Sequence, residues 1–208
     1  MPQTYVALDL ETTGLNAEKD QIIEVGAVKV QDGEPVDRFE TLVNPGRPIP
    51  HEITLLTGIR NEDVIRQPSF EQVAPALDRF VGAAPVVAHN ASFDLGFLRA
   101  RGLLVETTGL DTWELASVLI PSRPSYSLAS LAAHFGIDSP NQHRALNDAD
   151  VTARLFEILR ERAGLLPRGV LAEIVRLANR SSWPLRVVFA EAAEAAGIGV
   201  IPDRELPL

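Results

Sequence analysis

The chain has 208 residues, 46% of them hydrophobic and 23% charged, which fits one globular domain of generous size or a domain with an appendage. It has no cysteine, which excludes a disulfide framework and a thiolate zinc site. A net charge of −9 argues against tight nonspecific polyanion binding, although bound metal ions can supply the positive charge that a phosphodiester needs.

The start, Met1-Pro2-Gln3-Thr4, has neither the basic nor the apolar character of a leader, and no apolar run approaches the ~18 residues of a membrane span. A cytoplasmic location without a membrane partner is expected. The first strand begins at Thr4. It ends in two carboxylates, Asp9 and Glu11, followed at once by the turn Thr12-Thr13-Gly14-Leu15. Residues 21–30 read as a second strand, and Asp32-Gly33 is a hairpin signal leading to a third over 36–43. Short turns between these strands imply an antiparallel meander.

Proline-rich 44–50 cannot continue the sheet. Residues 51–56 read as a short helix, and Asn61-Glu62-Asp63 as the cap of another. Ser69 is placed to N-cap a helix with an apolar stripe of Val73, Leu77, Phe80 and Val81. Residues 86–90 form a short apolar strand of the kind buried on both faces, and 91–101 a helix with Asp94 in its first turn. Residues 111–119 read as helix. Ser127 caps a helix over 128–135 that Gly136 ends, and 139–142 is loop.

A long helix spans 145–163, with Ala145, Ala149, Thr152, Phe156, Leu159 and Ala163 on one stripe. Beyond Gly164, amphipathic helices over 167–179 and 184–196 form a C-terminal helical extension. The division expected is 1–164 for the main domain and 165–208 for the extension. The extension is read either as a docking segment, for instance for a polymerase or helicase partner, or as the start of a linker. Strands followed by alternating helices and strands give an α/β fold with a mixed sheet.

Three acidic clusters stand out. Asp9 and Glu11 point to one face of their strand, because strand side chains repeat with period two. Two like charges side by side on a buried strand call for a cation. Asp94 follows the short buried strand at a helix start, where α/β sheets gather ligand sites. Asp148 lies on the edge of the long helix's buried stripe. His143, five residues earlier, would be about 140° away on a continuous helix. His143 therefore must sit on the preceding loop to reach the same place, where it suits a general base. Four carboxylates and one imidazole form a hard-donor site suited to Mg²⁺ or Mn²⁺, and two such ions can clamp a phosphodiester. Asp150, Arg144 and Arg123 read as solvated residues, and His89, Trp113 and Trp183 as packing residues.

In this order, Asp9-Leu10-Glu11-Thr12-Thr13-Gly14, His89 to Asp94 and His143 to Asp150 resemble the three exonuclease motifs of the DEDD superfamily, with His143 marking its DEDDh branch. The resemblance covers roughly 4–163 and takes in Thr57-Gly58-Ile59. It implies an RNase H-like fold with a five-stranded sheet, three strands antiparallel and the rest parallel, flanked by helices. It also implies 3′→5′ hydrolysis of single-stranded DNA ends to nucleoside 5′-monophosphates with two divalent ions, Mg²⁺ or Mn²⁺. In that scheme Asp9, Glu11, Asp94 and Asp148 are metal ligands and His143 deprotonates water. Thr12, Thr13, Gly14 and Leu15 seat the terminal nucleotide, and Leu56, Thr57, Asn90 and Phe93 form the opposite wall. RNA or short oligonucleotides as substrate, and a non-catalytic binding subunit, are the competing readings.

Overall fold

A computed structural model describes residues 4–139 and 143–198. The sheet is built from β1 (Thr4–Thr12), β2 (Ile22–Gln31), β3 (Glu34–Leu42), β4 (Val86–Ala88) and β5 (Gly109–Asp111). Its order is β3-β2-β1-β4-β5. The first three strands pair antiparallel, and β4 and β5 run parallel to β1. This is the mixed five-stranded sheet expected. Asp32 and Gly33, with φ of 53° and 84°, make the hairpin between β2 and β3.

Nine helices occur among the described residues: α1 (His51–Thr57), α2 (Asn61–Val64), α3 (Phe70–Val81), α4 (Ala91–Arg99), α5 (Thr112–Leu119), α6 (Leu128–Phe135), α7 (Ala145–Gly164), α8 (Arg168–Ala178) and α9 (Arg186–Ala195). Alternate residues of β1 serve two cores. Tyr5 and Ala7 pack with Val28, Val87 and the α7 side chains Phe156 and Leu159. Val6, Leu8 and Leu10 pack with Val73 and Leu77 of α3 and Leu95 and Leu98 of α4. The sheet is therefore covered on both faces, and α7 lies across the face that Asp9 and Glu11 share with Tyr5 and Ala7.

Two sequence expectations are corrected. Residues 109–111 form β5, which ends on Asp111, so the helix expected from that residue starts one later. Asp111 caps it instead, its carboxylate accepting from Trp113 N. Asn61, Glu62 and Asp63 lie inside α2 rather than before it. Arg60 is the N-cap, and its backbone N–H donates to Asp63 at 2.8 Å. The expected loop at 139–142 falls outside the described residues from Pro140 to Gln142. The extension after Gly164 packs against the rest of the chain: Leu171, Val175, Leu185, Val188 and Phe189 belong to the same apolar cluster as Phe156 and Leu159. The indole N–H of Trp183 donates to Glu114 at 2.8 Å. No helix among the described residues is long and apolar enough to cross a membrane.

Candidate active site

β1 carries the first two acids. Its register with β2 shifts between Glu11 and Thr12, a bulge that ends regular pairing directly after Glu11. The chain then turns through Thr12–Leu15. Thr12 Oγ1 donates to Gly14 O at 2.6 Å, and Thr13 Oγ1 accepts from Gln21 N at 2.9 Å. A Cβ on Gly14 would stand 2.5 Å from the Asp20 carboxylate, which accepts from Asn16 N at 2.9 Å. Arg101 closes the loop from behind, donating to Ala17 O, Asp20 O and Gln21 Oε1. Leu15 at the tip is 86% exposed.

Asp94 arrives from the other face of the sheet. Its carboxylate accepts the Leu10 N–H at 3.0 Å, which ties the first turn of α4 to the end of β1. Asn90 precedes α4 with φ of 68°, and its N–H and that of Ala91 are accepted by Asp111. His89 is braced at both nitrogens, by Thr112 Oγ1 and by the carbonyl of Tyr126, both at 2.9 Å. It is a packing residue, as expected, and burial lowers its pKa.

The start of α7 supplies the rest. His143 lies ahead of the helix in a left-handed conformation, φ 63°, with an exposed side chain. Its N–H donates to Asp148 Oδ2 at 2.9 Å. Ligand atoms of Glu11, His143 and Asp148 all lie within 4.8 Å of one another. Asp9 is joined to this group electrostatically, with Asp94 the strongest neighbouring charge acting on it, followed by Glu11 and Asp148.

All four carboxyls hold their protons more tightly than usual. Burial is the main cause for each. Glu11 is pushed up to about 8, with Asp148 and Glu24 adding to the burial effect and Arg144 opposing it. Asp94 is also pushed up to about 8, against the pull of its backbone hydrogen bonds. Such a cluster calls for a cation, and its oxygen donors fit a hard divalent ion such as Mg²⁺ or Mn²⁺.

The expected wall residues differ in availability. Leu56 is half exposed at 51%, while Thr57 is buried. The Thr57 hydroxyl donates to Ile53 O and accepts from Ile59 N, so it closes α1. Thr57, Gly58, Ile59 and Arg144 border a cleft of about 470 Å³. Phe93 is half-buried against the α4 core, 5.0 Å from the Phe97 ring. Asp150 pairs with Arg38 and Arg154 at 3.3 and 2.7 Å.

Arg144 is exposed, as its place in the sequence suggests, but it is also paired. Its guanidinium grips the fully buried Glu24 of β2, with the shortest contact at 2.7 Å. Neither residue stood out as functional in the sequence. The available signal was a lone carboxylate within the apolar strand Ile22-Ile23-Glu24-Val25.

Acidic groups from three distant segments thus gather at one end of the sheet. The sequence profile of the RNase_T exonuclease family matches residues 6–156, and the chain belongs to that family. It is 40% identical to the DNA polymerase III subunit epsilon of Aquifex aeolicus over 164 residues, covering 76% of this chain and 81% of that one. It is 43% identical to the PolC-type DNA polymerase III of Clostridium perfringens over 157 residues, 74% of this chain but only 11% of that much longer protein. Among solved structures, exonuclease X in complex with 5′ overhanging duplex DNA superimposes with a TM-score of 0.65 at 30% identity, covering 77% of this chain and 93% of the other. The nuclease domain of 3′hExo, described as a DEDDh family member bound to rAMP, shares the fold with a TM-score of 0.65 at 19% identity, over 76% of this chain and 92% of its own.

Proposed function

We propose that this exonuclease works 3′→5′ on single-stranded DNA ends, releasing nucleoside 5′-monophosphates in proofreading, repair or end processing in the cytoplasm. The observation that carries this reading is the gathering of Asp9, Glu11, Asp94 and Asp148, all with raised pKa, beside an exposed His143. Kinship with a polymerase III epsilon subunit and with exonuclease X supports DNA as substrate.

In this reading the four carboxylates hold two divalent cations, Mg²⁺ or Mn²⁺. Bound there, such ions supply the positive charge that neutralises the phosphodiester and favours ionisation of the attacking water. His143 takes the water's proton. Its imidazole stands free of the helix yet near Glu11 and Asp148, where it can move onto the water once substrate is bound. The Thr12–Leu15 turn, braced by Asp20 and Arg101, holds the terminal nucleotide with Leu15 as an apolar wedge. Leu56, Thr57, Asn90 and Phe93 form the opposite wall in this reading, where an aromatic edge suits sugar or base packing. On α8, Val170 and Leu177, exposed at 47% and 54%, offer apolar contact to a polymerase or helicase partner.

The test is digestion of matched 5′-labelled DNA and RNA oligomers with Mg²⁺. DNA should shorten stepwise from its 3′ end and release nucleoside 5′-monophosphates. Asp9→Ala should abolish cleavage in a folded protein. His143→Ala should lower turnover by about 100-fold or more while metal binding persists. Undiminished cleavage by purified Asp9→Ala protein would sink the mechanism, and faster digestion of RNA would move the substrate assignment.

A further inference from the structure

Glu24 sits where a carboxylate is costly. It is 0% exposed, and its cross-strand partner in the β1–β2 ladder is Glu11. Like charges directly opposite destabilise a sheet, and an unpaired buried charge costs more. Both Glu24 oxygens accept hydrogen bonds. Oε1 accepts from Arg144 Nε at 3.0 Å and from an Nη of the same residue at 2.7 Å. Oε2 accepts from Arg144 Nε at 3.2 Å and from Ala145 N at 2.9 Å. Glu24 is thus tied to Arg144 and to the first residue of α7.

What it holds is the chain immediately after His143. Arg144 is the next residue, and Ala145 opens α7. On the same face of β2, Gly26 lets the helix start touch the strand: a Cβ there would stand 2.1 Å from Ala145 C and Leu146 N. The peptide following His143 is therefore fixed to β2 by a forked ion pair, a backbone hydrogen bond and a contact only glycine permits. On its own residue, the His143 N–H is held by Asp148.

We propose that Glu24 and Arg144 are a positioning pair, which docks the start of α7 on β2 and so sets the His143 imidazole against Glu11 and Asp148. This rests on His143 being the general base. Catalytic groups misplaced by about 1 Å can lose about 100-fold in rate. The forked geometry matters because a guanidinium binds a carboxylate through two fixed N–H directions, which an ammonium cannot copy.

The experiment compares Arg144→Gln, Arg144→Lys, Glu24→Gln, the double Glu24→Gln/Arg144→Gln and His143→Ala with the wild type on a DNA oligonucleotide. Arg144→Gln should lower kcat by about 10–100-fold, with KM and the Mg²⁺ concentration for half-maximal rate within about twofold. Arg144→Lys should recover part of the loss. The double variant should be no slower than the slower single one, because both remove one interaction. In metal-free protein, the Ala145 amide should exchange hydrogen faster in Arg144→Gln. Arg144→Gln leaves the buried Glu24 carboxylate without its partner, so the double variant, which removes that charge as well, carries the kcat test if the single variant does not fold. Wild-type kcat in Arg144→Gln, alongside a crippled His143→Ala, overturns the positioning role and leaves the general base intact. A kcat loss matched by an equal loss of Mg²⁺ affinity also overturns it. Full turnover by His143→Ala removes the general-base reading, and the pair's role with it.

Discussion

At the scale of single residues, two glycines make opposite forecasts. Gly26 lies under the first turn of α7, and a methyl group there would meet backbone atoms at 2.1 Å, which cannot swing aside as a side chain can. Gly26→Ala must push the helix start off β2, and overpacking of this kind costs ~1–3 kcal/mol or more. His143 and Asp148 ride on that segment. The variant should melt ~3–10 °C lower and lose more than ~10-fold in activity. Gly96 sits inside α4, two residues after Asp94, with nothing within 4 Å of where its Cβ would be. Alanine there only removes a flexible residue from a helix, which stabilises by ~0.5–1 kcal/mol, or ~1–4 °C. Thermal melts of the two variants check both signs, and a Gly26→Ala protein as stable as the wild type would mean that α7 is not seated on β2 as described.

Among the elements, α8 and α9 carry the clearest forecast. Phe156, Leu159 and Ala163 of α7 are 0% exposed in a cluster completed by Leu171, Leu185 and Phe189. Ending the chain after Gly164 uncovers that surface, and exposing even one large apolar side chain costs ~2–3 kcal/mol. The truncated protein should melt at least ~5 °C lower and bind an apolar dye, and an unchanged melting temperature would make the extension an independent unit. The amphipathic patterns of these helices were legible in the sequence, but not what their apolar faces meet. The same divide runs through the whole fold. Asp32-Gly33, Ser127 with Gly136, and Ser69 announce turns and caps because their chemistry is local. β5 is three residues long and exists only because β4 lies beside it, so no periodicity could reveal it. In the site, the shared face of Asp9 and Glu11 and the loop position of His143 follow from strand and helix geometry. The grip of Glu24 on Arg144 spans 120 residues, and that of Asp94 on Leu10 spans 84, distances over which sequence spacing carries no information.

For the molecule as a whole, the acidic balance of −9 has a focus in these carboxyls, and this gives metal-free stability a definite pH slope. Burial, reinforced by neighbouring carboxylates, raises Glu11 from its ordinary 4.5 and Asp94 from 3.8, each to about 8. The folded chain therefore holds these protons more tightly than the unfolded chain does. Well below pH 4 both states are protonated, and the stabilising contribution is complete. As pH rises, the unfolded chain gives up its protons first, and the folded chain must ionise acids that repel one another. Stability should fall through the window from about pH 4 to about pH 8 and level off above it. A tenfold preference of the folded state for one proton is worth about 1.4 kcal/mol, or about 3–5 °C of melting temperature in a domain of this size. Divalent cations favour the ionised acids, so saturating Mg²⁺ should flatten or reverse the slope. Asp9→Asn removes one of the repelling charges and should raise the melting temperature of the chelator-treated protein near pH 8. Melting curves in chelator and in Mg²⁺ across this range provide the measurement. Equal melting temperatures at both ends of the chelator series would show that the folded chain does not hold these protons more tightly than the unfolded chain does.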